Sequence, residues 1–222
     1  LSHPERANPY VSHQFETATQ QREASILGMW IFLATEIMFF GGLFLAYTIY
    51  YNMYTDAFKE ASQHLDVMLG GINTGVLITS SLTMAMAVWA AQTSRQKLLV
   101  LFLSLTLVLA FVFLGVKAVE YMHKFHDGLV PGALFTYDSP RRDQVQLFFF
   151  IYFVMTGLHG VHILIGIGVI AAILVMAIKG KFHAQYNNPV DVTGLYWHFV
   201  DVIWIFLFPL LYLIGRYLPG AH

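Results

Sequence analysis

Long apolar runs alternate with short polar connections along the whole chain. Five runs reach the length needed to cross a hydrocarbon core, which takes about 20 residues at roughly 1.5 Å each. They cover about Ser25 to Tyr51, Leu69 to Ala91, Leu98 to Val119, Gln146 to Ile178 and Tyr196 to Leu218. The pattern predicts an all-α fold, a polytopic membrane bundle of five transmembrane helices over residues 25–218. The fourth run is longer than a bilayer requires, so it is expected to tilt or project. None of the connections is long enough for a further domain. Leu1 to Ala24 is polar, contains Pro4 and Pro9, and lacks the apolar centre of a signal peptide, so it reads as a polar N-terminal arm.

Composition sharpens this picture. Of 222 residues 57% are hydrophobic and only 11% charged, far from the balance of a soluble domain. A net charge of -1 without a long basic run offers nucleic acid no cationic face. The absence of cysteine removes disulfides and thiolate metal sites. Arg6, Arg22, Arg95, Lys97, Lys179 and Lys181 fall on one side, against Lys59, Lys124, Arg141, Arg142 and Arg216 on the other. The first group sits in short connections near helix ends, where the positive-inside rule acts most strongly, so the N-terminus is predicted cytoplasmic and the C-terminus exported.

Ionisable groups within the apolar runs are the candidates for chemistry, because charge at membrane depth is costly. His198 and Asp201, three apart, share a helix face that must be buried in protein. Glu36 lies roughly 16 Å beyond Ser25 along its helix, near the bilayer midplane, where it must be either neutral or paired. It is read either as a proton-exchanging acid or as an acid bonded to a neighbouring helix. His159 and His162 repeat the spacing of three. With Glu120, His198 and Asp201 they could form a metal or haem site, or a buried polar interhelical cluster; the cluster is favoured, since a ligand set needs a coordination geometry that spacing alone does not supply. Lys117 and Glu120 read as an i, i+3 ion pair with a snorkelling lysine near the membrane surface. Gly71 and Gly75 form a GxxxG spacing suited to close helix packing, and Asn73 between them adds an interhelical hydrogen bond.

No nucleophile–base set, phosphate loop, dinucleotide turn or HExxH helix is present, so the residues by themselves give no reaction. An ordered series of segments carries more information. It runs through Thr35-Glu36-Ile37-Met38-Phe39-Phe40-Gly41, Asn73-Thr74, Glu120-Tyr121, Thr156-Gly157-Leu158-His159-Gly160-Val161-His162 and Trp197-His198-Phe199-Val200-Asp201-Val202-Ile203-Trp204. In these segments, over roughly Gly28 to Arg216, the chain resembles subunit III of the haem–copper respiratory oxidases in its five-helix form.

The resemblance implies a non-catalytic subunit of a complex that reduces oxygen to water and pumps protons. It would carry no cofactor of its own, the haems and copper belonging to partner subunits I and II. It would pack on subunit I in a bacterial cytoplasmic membrane, stabilise turnover and support proton uptake. Glu36 matches the family's carbodiimide-reactive acid. The electron donor is expected to be cytochrome c, with quinol as the alternative. Bound phospholipid and a larger respiratory supercomplex are compatible with this reading. The longer family members hold lipid in a cleft between two additional helices and these five, and the five-helix form lacks half of it. Two other classes remain open: a membrane cytochrome with haem on His159, His162 and His198, and a proton-coupled carrier using Glu36 and Asp201.

Overall fold

The computed structural model describes residues 15–183 and 186–214. Among these it contains six α-helices: α1 (Ala18–Met53), α2 (Thr55–Ser62), α3 (Val67–Gln92), α4 (Gln96–His126), α5 (Arg142–Ile178) and α6 (Asn188–Phe208). A single π-helical turn, Pro209–Leu213, continues α6. Five of the elements are long and apolar enough to span a membrane, as the sequence pattern predicts.

The helices outrun the apolar segments, and at the starts of α1 and α3 a side-chain cap sets the boundary. Thr17 accepts the N–H of Gln20 at 3.1 Å and starts α1 at Ala18. The polar arm expected over residues 1–24 is therefore corrected at its end: Ala18 to Ala24, free of helix breakers, form the first turns of α1. Residues 1–14 lie outside the described residues, as do 215–222 at the end of the last predicted span. Asp66 starts α3 by accepting the N–H groups of Met68 and Leu69 at 2.9 and 3.1 Å. At the far end of α6, Pro209 has no N–H to continue the ladder, and the chain widens into the π turn.

α3 and α4 form an antiparallel hairpin closed by Ser94, which takes a left-handed φ of 55°. α6 lies against α3 and α5, and α1 packs chiefly on α6. Two buried tryptophans of α6 set this arrangement. Trp197 donates its indole N–H to Ser80 at 3.0 Å and Trp204 to Thr74 at 3.1 Å, so both polar edges are satisfied on α3. Gly166 makes room for the first: a Cβ there would stand 2.7 Å from the Trp197 ring. Gly70 does the same for Phe208, again at 2.7 Å.

The GxxxG glycines carry no helix contact among the described residues. Gly71 and Gly75 face outward, and a Cβ at either would meet nothing within 4 Å among the described residues. The 100° step of the helix brings Gly70, Asn73, Leu77, Ser80 and Met84 to the inner face and turns the two glycines away. Asn73 is buried and donates to the Phe113 carbonyl at 3.4 Å.

Outside the bundle, α2 packs on the start of α5 at the end where α1 finishes. There Glu60 accepts from Tyr137 and Ser139 at 3.0 and 2.8 Å, while Arg141 pairs with Asp56 at 3.1 Å, which fastens the α4–α5 connection. At the opposite end Arg22 reaches Asp191 at 3.3 Å, joining α1 to α6.

Candidate functional site

The polar residues inside the bundle occupy three separate centres. The expected single cluster of Glu120, His159, His162, His198 and Asp201 is not formed. A spacing of three turns a side chain by about 60° relative to its predecessor, enough for neighbours on one helix to face different helices.

Halfway along α1, Glu36 faces α5. Its Oε2 lies 3.1 Å from His162 Nε2, and the other ring nitrogen, Nδ1, donates to the Leu158 carbonyl at 2.8 Å. The side chains are 18% and 13% exposed, so the pair sits at a seam of the bundle, not in its centre. The Phe40 ring closes on the imidazole with centroids 5.2 Å apart. Tyr196 of α6 donates its hydroxyl to the His162 carbonyl at 3.0 Å.

The second centre lies between α6 and α3. His198 Nδ1 is 2.6 Å from Ser81 Oγ. Asp201 is buried one turn further on. His159, by contrast, points into the core, its ring against Phe113 and Trp204 with centroids 5.6 and 5.2 Å apart. Neither of its nitrogens has a hydrogen-bond partner among the described residues.

The third centre is the most completely bonded. Lys117 Nζ donates to Glu120 Oε2 at 3.0 Å, to Tyr152 Oη at 3.2 Å and to Tyr212 Oη at 2.9 Å. Both tyrosine hydroxyls in turn donate to Glu120 Oε1, at 2.8 Å from Tyr152 and 2.5 Å from Tyr212. All three ammonium hydrogens and both carboxylate oxygens are thereby used. The snorkelling reading of Lys117 is corrected: the residue is only 7% exposed, because a fully bonded counter-group lies inside the protein. Such a centre ties α4, α5 and the π turn together and has no donor left for a substrate.

Tyr152, Tyr212, Tyr196 and Ser81 complete these centres. Ser81 reads in the sequence only as one of several hydrogen-bonding groups of its span, and the three tyrosines are marked by nothing beyond the general rule that a buried acid needs donors. The imidazoles His159, His162 and His198 face different neighbours, and both nitrogens of His162 are engaged. That arrangement does not present them together to a haem.

Three comparisons bear on the whole chain. The family described as Cytochrome c oxidase subunit III matches residues 12–216, a range that contains all three centres. The "Probable quinol oxidase subunit 3" of Staphylococcus haemolyticus (strain JCSC1435) is 30% identical over 214 residues, 95% of this chain and 100% of that one. Its counterpart in Staphylococcus aureus (strain USA300) is 30% identical over 210 residues, covering 94% and 98% of the two chains. With five membrane-length helices and a match of this extent, the chain belongs to the cytochrome c oxidase subunit III family, the third subunit of haem–copper oxidases.

Proposed function

We propose that the chain is subunit III of a quinol-oxidising haem–copper oxidase. The observation that carries the choice of donor is its near end-to-end alignment with two proteins named as quinol oxidase subunits. Cytochrome c, the donor expected from the residues' resemblance, becomes the second reading; the family's own description favours it. In either case oxygen reduction takes place on haem and copper held by partner subunits, and this chain is accessory. It packs on subunit I in the bacterial cytoplasmic membrane, prolongs turnover, and supports proton uptake through Glu36. The fully bonded Lys117–Glu120 centre supports a scaffold role, and the apolar outer faces of the helices leave room for a partner subunit and for lipid.

Purification of the complex through a tag on this chain tests the donor. Oxygen consumption should run with a quinol and not with reduced cytochrome c, and the co-purifying subunit II should contain no copper. Rapid oxidation of cytochrome c by a complex whose subunit II contains copper would select the second reading.

A further inference from the structure

We infer that Glu36 and His162 hold one exchangeable proton between them, with His162 as the positioning partner that keeps the site at zero net charge. This rests on the reading of Glu36 as the proton-exchanging acid.

The ring nitrogen that faces away from Glu36 decides the tautomer. A carbonyl oxygen can only accept, so the 2.8 Å contact between Nδ1 and Leu158 requires a hydrogen on Nδ1. That fixes the tautomer and turns Nε2 toward the acid at 3.1 Å. Two arrangements make a hydrogen bond along that line without net charge. Either an imidazolium Nε2–H donates to a carboxylate, or a carboxylic O–H donates to a neutral imidazole. Each contains one proton in the shared position, and each sums to no net charge.

Other occupancies are penalised. A second proton, with Nε2–H donating to the carbonyl oxygen of a protonated carboxyl, leaves a net positive charge. Removal of the only one opposes two lone pairs and leaves a net negative charge. Both place an uncompensated ion halfway along a membrane-spanning helix. The proton can therefore pass between Oε2 and Nε2 without changing the charge of the site.

Neighbouring groups do not complicate the count. From α6 the titratable side chain against the pair is Tyr196, whose hydroxyl hydrogen is already donated to the His162 backbone carbonyl. On α5, His159 points the other way, toward Phe113 and Trp204. On α1 the neighbouring ring is Phe40, which has no proton to exchange. Both partners are partly exposed at the α1–α5 seam, so the pair lies at the surface of the bundle and not in its core.

Two spectroscopic readouts on the intact membrane complex test this. The infrared stretch of a protonated Glu36 carboxyl is assigned by its loss in Glu36→Gln. The nitrogen-15 signals of the His162 ring are assigned by their loss in His162→Gln. Nδ1 should be protonated, and the fraction of protonated Glu36 plus the fraction of imidazolium His162 should sum to one. In His162→Gln, which keeps an acceptor for the acid, the Glu36 carboxyl band should reach full intensity. A bare Nδ1, a sum near zero or two, or a Glu36 that remains a carboxylate in His162→Gln would overturn the inference. The proton-uptake reading fails separately, if Glu36→Gln takes up protons at the wild-type rate while the wild-type sum still equals one.

Discussion

At the scale of single residues, the strongest commitment in the molecule is the Lys117–Glu120 pair. Two charges at 7% and 1% exposure are tolerable only because every donor and acceptor is matched. Removing one partner should therefore cost far more than removing both. Lys117→Met strands Glu120 and should destabilise the chain by about 3–5 kcal/mol. The double replacement Lys117→Met with Glu120→Leu should regain most of that loss. Thermal unfolding of the detergent-solubilised complex checks the order, and equal losses from the single and double variants would contradict it. Tyr212→Phe takes one donor from the carboxylate and one acceptor from the ammonium, so it should cost about 1–3 kcal/mol in the same assay. The ion pair was legible as an i, i+3 spacing. Its tyrosines were not, since they come from positions 32 and 92 residues further along the chain.

At the scale of elements, the number and order of spans follow directly from apolar runs, while the choice of inner face does not. A helix between lipid and protein is apolar all round, so hydrophobicity cannot say which side packs. Small residues are the remaining cue, and they are ambiguous: Gly70 carries a contact while Gly71, next to it, carries none. The same ambiguity separated His159 from His162, three residues apart yet facing different helices. The distinction is measurable. Gly166→Ala drives a methyl into the buried Trp197 ring and should cost about 1–3 kcal/mol. Gly71→Ala and Gly75→Ala, which meet nothing within 4 Å among the described residues, should leave the chain's own unfolding unchanged. Loss of subunit I on purification of these two variants, with normal folding of the chain itself, would assign the outward glycines to the interface between subunits.

At the scale of the whole molecule, the bundle has two chemically different ends, and which one meets the cytoplasm is a measurable property. One end carries Arg22 bonded to Asp191 and the tight Thr93–Arg95 turn. The other carries α2 and the long α4–α5 connection pinned by Glu60 and Arg141. Basic residues in the shorter connections favour the first as cytoplasmic, although both ends contain cations. Charge counting reaches its limit here because the rule weights position, and the two groups of cations differ little in number. The absence of native cysteine makes a direct measurement clean. Thr93 and Ala133 are both exposed, at opposite ends of α4 and its flanking turns. In intact cells a membrane-impermeant thiol reagent should label Ala133→Cys readily, and should reach Thr93→Cys only after the membrane is permeabilised. The reverse pattern would invert the bundle. Glu36 would still lie halfway along α1, but a proton reaching it from the cytoplasm would then travel past the Lys117–Glu120 end.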